Sequence, residues 1–414
     1  MSSLIWSGNF WLPPNITWDV IEKVNSVGVA PTLGKSTDCL YVVAFLTAIR
    51  HYLKQFVFIP HGLSMGLQIP KPISVPNIPI LEEIFVKEKK PSNSRIKVIN
   101  PLMTFFLQEL SISLDLSERM IEVWFRKRRN REKSPVIVKF VESEWKLSYY
   151  TTMFFYGLIS LYQKPYLWDV KEAMANYPYY VMPPEIHWYY MIHLGYYTAS
   201  LLWIFYEVKR SDFKVLLGHH IATVSLLAFS YITNHHRIGS LILLLHDIAD
   251  CWMEAAKICK YVKKHTASEV LFIIFVIIWI LTRLTYFPFW VLWAVHKFGT
   301  LIRGAYPAHC IMVGFLLVLQ ALHIYWFYLI VKIAVQLKSQ GCNAKDCRSE
   351  SELSDTSDQQ INFDKFQEKN HIKNCNHIDY TLSGKITTEV DNSELNHILH
   401  QRFSNHNLSN NGLK

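Results

Sequence analysis

Long apolar stretches alternate with shorter polar stretches along this chain of 414 residues. A helix needs about 17–25 largely apolar residues to cross a bilayer, and seven stretches reach or approach that length. They predict transmembrane helices over residues 39–58, 148–162, 187–206, 215–232, 238–258, 270–295 and 307–335. The pattern therefore predicts an all-α, polytopic membrane protein with about seven transmembrane helices, of which 238–258 is the most polar.

Composition supports the same class of protein. Hydrophobic residues make up 50% of the chain and charged residues only 18%, whereas an ordinary soluble domain carries about 25% charged residues. These fractions exclude a disordered, collagen-like or disulfide-scaffold protein. The seven cysteines are an odd number without framework spacing, so they predict neither a disulfide scaffold nor a zinc site.

The uneven distribution of the net charge, +9, predicts an orientation in the membrane. Lysine and arginine concentrate between the first two predicted helices and in two later loops, at Lys209, Arg210, Lys214, Lys257, Lys260, Lys263 and Lys264. Loops of this kind usually face the cytosol. The N-terminal segment, residues 1–38, is then lumenal and the C-terminus cytosolic. Asn15-Ile16-Thr17 is a glycosylation sequon on that lumenal side, so we expect a glycan on Asn15.

The tail, residues 338–414, is rich in Ser, Asn, Asp, Glu and His and follows neither a helical nor a strand period. It predicts a disordered cytosolic segment. Within it, residues 349–358 mix hydroxyl and carboxylate side chains. This run is either a phosphate-accepting segment or part of a plain solubilising tail, and both interpretations stay open.

A basic segment, residues 66–134, separates the first predicted membrane helix from the second. It contains two predicted short helices, near 107–114 and from Glu118, and the second ends in a run of six basic residues in eight, 126–133. The Trp-Phe-x-x-Arg-Arg pattern resembles the recognition helix of a homeodomain. Lys127 stands where homeodomains carry the asparagine that pairs with adenine, so base readout is lost. A vestigial or membrane-surface module is expected, and DNA binding is the weaker alternative.

Polar side chains form stripes on two of the predicted membrane helices. The fourth helix carries His219, His220, Thr223, Ser230 and Asn234, and all but His220 fall close to one helical face. The fifth carries His246 and an i, i+3, i+7, i+10 stripe of Asp247, Asp250, Glu254 and Lys257. One carboxylate inside a bilayer costs at least about 2.5–3.5 kcal/mol. Two neighbouring helices with these residues therefore predict a polar cavity with a function.

Several chemistries fit these residues. A di-iron oxidation site needs dense histidine boxes that the sequence lacks. A single-metal site of His219, His220, His246 and Asp247 is an open alternative, because imidazole and carboxylate suit zinc or iron. An imidazole also serves as a general base or as an acyl acceptor in a transfer reaction.

The block from His219 to Tyr261 resembles the signature of the ceramide synthase family: paired histidines, F-S-Y-x-x-N, R-I-G-S, L-L-H-D-x-x-D and E-x-A-K. Further similar motifs are W-L-P-x-N-x-T-W from Trp11, K-F-x-E-x-x-W from Lys139 and L-Q-x-L-H-x-x-W from Leu319. The resemblance implies a TLC domain over 135–337, with six helices around a central cavity and the helix at 39–58 outside it. It also implies an endoplasmic-reticulum enzyme that transfers a fatty acyl group from acyl-CoA to the amine of a sphingoid base. Acyl-CoA is the co-substrate and no cofactor or metal is expected, and the family suggests homo- or hetero-dimers.

Roles for the residues follow as hypotheses from the resemblance and the chemistry. His219 or His220, with His246 nearby, would accept the amine proton or the acyl group, while Asp247, helped by Asp250, would orient the imidazole. Substrate contacts are expected from Lys209, Arg210, Lys214, Lys257, Glu254, Ser230, Asn234 and Arg237, the last three in the lumenal half of the cavity. The loop at 296–308 is the expected determinant of acyl length.

Three other classes of protein stay open. The first is a non-enzymatic TLC-domain protein that binds or senses lipid. The second is a membrane-tethered DNA-binding regulator, and the third is a metal-dependent lipid hydroxylase.

Overall fold

The structure, a computed structural model, describes residues 7–24, 37–70, 73–87, 112, 114, 116–132, 134–208, 212–297, 304 and 306–339. The chain divides into two compact units. The first comprises Met1–Val75, Phe85–Pro91 and Trp124–Arg348, and the second comprises Pro76–Ile84, Ser92–Val123 and Ser349–Lys414. The residues described are helical or irregular and include no strand, so the all-α prediction is confirmed.

The longer helices, in chain order, are α1 (Asp38–Ser64), α2 (Pro79–Lys87), α3 (Glu118–Glu132), α4 (Val136–Leu161), α5 (Pro184–Trp203), α6 (Phe213–Ile232), α7 (His236–Tyr261), α8 (His265–Lys297) and α9 (Pro307–Ser339). Short helices form at Gly8–Trp11, Trp18–Val24, Pro165–Trp168 and Lys171–Met174. Two long helices widen into π-helical segments, α1 at Lys54–Phe58 and α8 at Ile280–Leu292. Pro288 lies inside the second of these segments.

Each of the seven apolar stretches falls on one of these helices, although the helices are often longer. α1 continues to Ser64, six residues past the predicted end, and α4 begins at Val136, twelve residues before the predicted start. Among the described residues, four helices are long and apolar enough to cross a membrane: α1, α6, α8 and α9. The other three carry more polar side chains along their length, so a total of seven spans stays a prediction.

Six helices of the first unit pack as a closed ring. α4 packs on α7, α7 on α8, α8 on α9, α9 on α6, α6 on α5, and α5 on α4. α1 lies outside the ring against α5. Gly195 of α5 permits this approach, because a Cβ there would stand 2.6 Å from Cγ1 of Val42. The expected arrangement of six helices with the first helix outside is therefore present.

A tight turn joins α6 to α7 and sets their antiparallel pairing. Asn234 has a φ of 61°, a left-handed conformation that asparagine tolerates better than most residues. Its amide donates to the carbonyls of Pro178 at 3.1 Å and Tyr180 at 3.0 Å. The expectation that Asn234 extends the polar face of α6 is wrong, since that helix ends at Ile232.

The N-terminal segment packs on the ends of α6 and α9. Trp11 and Leu12 form a small core with Tyr306, beside the partly buried Phe229. The rings of Trp11 and Phe229 lie 4.8 Å apart. This segment therefore covers the edge of the ring of helices.

The homeodomain-like helix begins where the sequence predicts. α3 starts at Glu118, and the Ser117 hydroxyl accepts the N–H of Met120 at 3.3 Å as an N-terminal cap. Farther along this helix, Arg128 pairs with Glu132 at 3.1 Å. The helix expected near 107–114 lies almost wholly outside the described residues. Lys133, Lys209, Arg210, the tail from residue 340 and most of the loop at 296–308 also lie outside them.

Candidate active site

A mainly apolar cavity lies between five helices of the ring, α5 to α9. Its walls are Leu226, Leu227, Ile238, Ile242, Leu243, Val295, Met312, Leu316 and Leu319. Polar side chains line it towards its two ends. We call one the His219 end (His219, His246 and the adjoining His323) and the other the His235 end (His235 and His309, with the adjoining Thr233, Tyr177 and Tyr306). Such a shape suits a ligand with a long alkyl chain and a reactive polar head.

His246 of α7 is held at the His219 end by two hydrogen bonds. Its Nδ1 donates to the carbonyl of Ile242 at 2.6 Å, and its Nε2 lies 3.0 Å from Nε2 of His323 on α9. A carbonyl only accepts, so Nδ1 carries the proton of the neutral ring and Nε2 accepts from His323. The Ile242 carbonyl thereby fixes the tautomer of His246 and, through it, that of His323.

His219 of α6 lines the same part of the cavity. Its ring lies 5.1 Å from the ring of Trp326 and 5.6 Å from the ring of His220. Nδ1 of His219 is buried and has no hydrogen-bond partner within the described part of the chain. His220 does not line the cavity, and its ring lies 5.8 Å from that of Tyr197. Of the predicted pair, His219 is the imidazole that a bound lipid would meet.

Asp247 is almost fully buried, and its partners differ from those expected. Its Oδ2 accepts from the Tyr189 hydroxyl at 3.3 Å and lies 3.3 Å from Nε2 of His193. Nδ1 of His193 lies 3.0 Å from the Tyr149 hydroxyl. Successive residues of a helix point about 100° apart, so Asp247 faces α4 and α5 while His246 faces α9. The expected contact of Asp247 with His219 or His220 is therefore replaced by one with His193.

Asp250 pairs with a buried arginine of α8. Nη2 of Arg283 lies 2.8 Å from Oδ1 of Asp250 and donates to the His246 carbonyl at 3.1 Å. The guanidinium stands 4.1 Å from the ring centre of Trp279, and Arg283 is only 4% exposed. A buried charge needs a partner of opposite sign. Arg283 thus ties the π-helical segment of α8 to the turn of α7 that carries His246.

The acidic residues of the predicted stripe on α7 contact three different partners: Asp247 contacts His193, Asp250 contacts Arg283, and Glu254 contacts Lys257. Beyond Asp247 and Asp250, Glu254 is buried and accepts from Nζ of Lys257 at 2.7 Å. Lys214 is exposed in the first turn of α6. The stripe residues share one face of α7 but make three separate contacts.

A second charged cluster joins α1, α4 and the segment after α5. Both oxygens of Glu207 are paired, with Nη2 of Arg50 at 2.8 Å and with Nζ of Lys146 at 2.9 Å. Burial by itself would raise the pKa of Glu207, but the charges of Lys146 and Arg50 outweigh it and hold that pKa below its ordinary value. Arg50 also lies 4.2 Å from the ring centre of Trp203.

Of the three residues expected in the other half of the cavity, only Ser230 lines it. Asn234 holds the turn, and its Oδ1 lies 3.0 Å from Nδ1 of His236. Arg237 stacks over Tyr180 at 3.9 Å and donates to the Glu172 carbonyl. The predicted glycosylation residue Asn15 is exposed and has a φ of 66°.

Three side chains of the site were missed by the sequence reasoning: His193, Arg283 and His323. All three are ionisable residues within apolar stretches, which by itself indicates a functional position. His323 even lies in the L-Q-x-L-H-x-x-W motif quoted above. The described residues contain no group of three or more His, Cys, Asp or Glu side chains placed to hold a metal ion.

Comparison with known proteins agrees with this geometry. A family model described as the TLC domain matches residues 139–332, and one described as the homeodomain matches residues 71–134. Ceramide synthase 5 of Homo sapiens is 34% identical over 351 residues, 84% of this chain and 87% of the relative. Its counterpart in Mus musculus is 35% identical over 84% and 82%. Ceramide synthase LOH2 of Arabidopsis thaliana is 40% identical over 53% of this chain and 76% of its own length. The identity and coverage of these relatives show that the chain belongs to the ceramide synthase family.

Proposed function

We propose that this protein is an N-acyltransferase of the endoplasmic reticulum that joins a fatty acyl group from acyl-CoA to the amine of a sphingoid base, giving ceramide or dihydroceramide. One observation carries the proposal. His219 and His246 line the same membrane-embedded cavity as a row of leucine and isoleucine side chains. An alkyl chain in that cavity brings a thioester at its head against an imidazole.

The reaction forms an amide C–N bond and breaks the thioester C–S bond. The sphingoid amine must lose a proton, and the CoA thiolate must gain one. In the direct route, His219 takes the proton from the attacking amine and returns it to the leaving sulfur. In the two-step route, a nitrogen of His219 first takes the acyl group and releases CoA, and the amine then displaces the imidazole. Nδ1 of His219, buried and without a hydrogen-bond partner among the described residues, suits either route.

The neighbouring groups would position this chemistry. His246 and His323 form a hydrogen-bonded pair at 3.0 Å that offers a path for a proton away from His219. Asp250 and Arg283 hold the turn carrying His246, while Asp247 and His193 hold the opposite side of α7. Asp247 and Asp250 therefore act as positioning residues rather than as direct partners of His219.

The orientation proposed is an N-terminus in the lumen, with a glycan on Asn15, and a C-terminus in the cytosol. Basic residues then stand at the cytosolic ends of the helices, where the phosphates of acyl-CoA arrive. Among those described, Lys214 is exposed, whereas Lys257 is paired with Glu254. Lys214 is thus the better placed to meet a phosphate, and Lys209 and Arg210 precede it in the sequence.

The homeodomain-like segment is proposed to contact an anionic surface rather than a DNA sequence, because Lys127 replaces the base-reading asparagine. A titration of the full protein with duplexes of different sequence tests this idea. Equal affinities that fall together with rising salt support it. A preferred sequence would mean that base readout persists.

The first experiment measures N-acylation of sphinganine by the purified protein across a series of acyl-CoA lengths, beside His219→Ala. We expect a loss of about 10²–10⁴-fold in kcat, the usual range for a missing acid–base group. His265→Ala is the matched control, since His265 is exposed at the start of α8, and its activity should equal the wild type's. No turnover by the wild type, or equal rates in His219→Ala, would favour a lipid-binding protein instead.

A rapid-quench experiment separates the two routes. Enzyme and acyl-CoA are mixed without sphingoid base, and free CoA is measured. A burst of CoA equal in amount to the enzyme supports the acyl-imidazole, and its absence from an active preparation favours direct attack.

A further inference from the structure

Tyr197 of α5 lies at the same end of the cavity as the paired histidines of α6. Two contacts set the register of these antiparallel helices. Towards the other end, the Ser230 hydroxyl donates to the Tyr190 hydroxyl at 3.3 Å. About two turns farther along α5, the ring of Tyr197 lies 5.8 Å from that of His220. Tyr197 and His219 both line the cavity, so they reach one ligand from two different helices.

The hydroxyl of Tyr197 is a donor without a partner in the described part of the chain. The side chain lines the cavity and is only 5% exposed, yet its hydroxyl makes no hydrogen bond with another described residue. Its ring lies nearly parallel to that of His193, with the ring centres 6.2 Å apart. A buried tyrosine hydroxyl usually has a hydrogen-bond partner, so we expect a molecule bound in the cavity to supply one.

The other donors that line this end are already engaged. Nδ1 of His246 donates to the Ile242 carbonyl at 2.6 Å, and its Nε2 accepts a hydrogen bond. The Thr223 hydroxyl donates to the His219 carbonyl at 2.9 Å. The ring of His219 is itself the proposed base or acyl acceptor. Among the described side chains at this end, Tyr197 is therefore the one left to donate to the substrate.

We propose that the Tyr197 hydroxyl donates a hydrogen bond to the thioester carbonyl oxygen as that oxygen becomes negatively charged. The inference rests on the proposed function, because it assumes a thioester beside His219. When the amine or a nitrogen of His219 bonds to the carbonyl carbon, the π electron pair moves onto the oxygen. Tyr197 stabilises this oxyanion and keeps its own proton. The pair then re-forms the carbonyl as the C–S bond breaks and the thiolate leaves.

The apolar walls of the cavity make this hydrogen bond important. A negative oxygen beside leucine and isoleucine side chains, with neither water nor a donor, would be strongly destabilised. A donor that is already in place in such surroundings stabilises a transition state far more than it would in water. The same oxygen is charged in the direct route and in both steps of the two-step route, so Tyr197 contributes to each.

Tyr197→Phe removes the hydroxyl and retains the ring. We expect kcat to fall about 10²–10³-fold, the usual loss for one oxyanion donor, and KM for acyl-CoA to change much less. Tyr196→Phe is the matched control, because Tyr196 is the preceding residue, is 2% exposed and does not line the cavity. The control should keep the wild-type kcat. An unchanged kcat in Tyr197→Phe, or equal losses in both variants, would overturn the proposal.

An acyl-CoA whose carbonyl oxygen is replaced by sulfur tests the contact itself. Sulfur is a weak hydrogen-bond acceptor, so the wild type should prefer the ordinary thioester over this dithioester. The preference should fall by about tenfold or more in Tyr197→Phe and persist in Tyr196→Phe. It is a ratio within each preparation, so a loss of folded protein does not affect it. A preference that is equal in wild type and Tyr197→Phe would assign the contact to another group.

The two proposals fail in different ways. Transfer at equal rates by the wild type and Tyr197→Phe rejects the donor and leaves the acyltransferase standing. If the wild type transfers no acyl group, infrared spectroscopy of bound acyl-CoA with an isotope-labelled carbonyl still decides the donor. The carbonyl stretch should then shift to higher frequency in Tyr197→Phe, because a hydrogen bond lowers it. An unshifted band, or no bound carbonyl in an inactive wild type, overturns the proposal.

Discussion

Polar groups are buried in different ways near the two ends of the cavity. Around the turn of α7 that carries His246 to the His219 end, ionisable groups from several helices meet in pairs, as in Asp250 with Arg283 and Asp247 with His193. At the His235 end, the groups are neutral and most of their bonds run along one turn of chain or to the adjacent loop. Charged groups therefore concentrate near the end of the cavity where we propose that the reaction takes place. Hydrogen bonds between uncharged groups predominate at the other end.

The largest expected effect comes from breaking the ion pair between Arg283 and Asp250, next to the backbone of His246. Arg283→Met leaves the Asp250 carboxylate buried without a positive partner, which should lower the free energy of unfolding by about 3–5 kcal/mol. Denaturant unfolding in detergent micelles measures this change. Arg283→Met combined with Asp250→Leu should recover most of the stability, because no charge is then left unpaired. A double variant as unstable as the single one would instead point to lost packing on Trp279.

Asp247→Asn tests whether the second carboxylate positions catalytic groups. We expect a fall of about 10²-fold or more in kcat, at the low end of the range for acid–base groups, with a small change in KM and an altered pH profile. Asp38→Asn is the matched control, since Asp38 also lies beside a buried histidine, His187, at 3.5 Å. The control should keep its activity. Equal losses in both variants would indicate a general weakening of the bundle.

At the His235 end, the loss of one hydroxyl should cost less. Tyr177→Phe removes the hydrogen bonds with the Thr233 carbonyl and with Tyr306. It should lower the free energy of unfolding by about 1–3 kcal/mol, from about 0.5–1.5 kcal/mol for each bond. Tyr179→Phe, at an exposed position two residues on, is the control and should change little. A loss from Tyr177→Phe as large as that from Arg283→Met would erase the contrast between the two ends.

The smallest effect concerns Glu207, outside the cavity. Its pKa is lower in the folded protein than in the unfolded chain, so it stabilises the fold above the unfolded value and this contribution disappears as the pH falls through the folded value. Glu207→Gln should therefore lower the free energy of unfolding by about 1 kcal/mol at pH 7. The difference in stability between the variant and the wild type should narrow below about pH 4. Melting temperatures at several pH values measure the gap. A gap independent of pH would mean that its charge contributes nothing.

The fold was largely predictable because each predicted membrane helix is a continuous run of apolar residues in the sequence. The signature residues of α6 and α7 were predictable for a related reason, since they lie within one short stretch of sequence. Partners on other helices were not predictable as partners. Nothing in the spacing of Asp250 and Arg283 states that they meet, because that contact depends on how α8 packs against α7.

Local conformation explains the remaining differences. A helical period through Asn234 assumed that α6 continues, but the N–H of His235 donates to the Ser230 carbonyl at 2.7 Å and closes the helix first. Asn234 then becomes part of the turn. The π-helical segment of α8 was equally hidden, because its composition is that of any apolar helix.

The ring of helices also sets an order of events during synthesis. α9 is the last helix of the ring, yet it supplies His323 beside one end of the cavity, and Tyr306, directly before it, packs in the core that Trp11 and Leu12 begin. Trp11 and Leu12 therefore gain their contacts only after the chain has been synthesised beyond Tyr306. A ribosome-bound chain that still lacks α9 has neither end of its cavity complete, so catalysis begins only when translation of the membrane domain is finished.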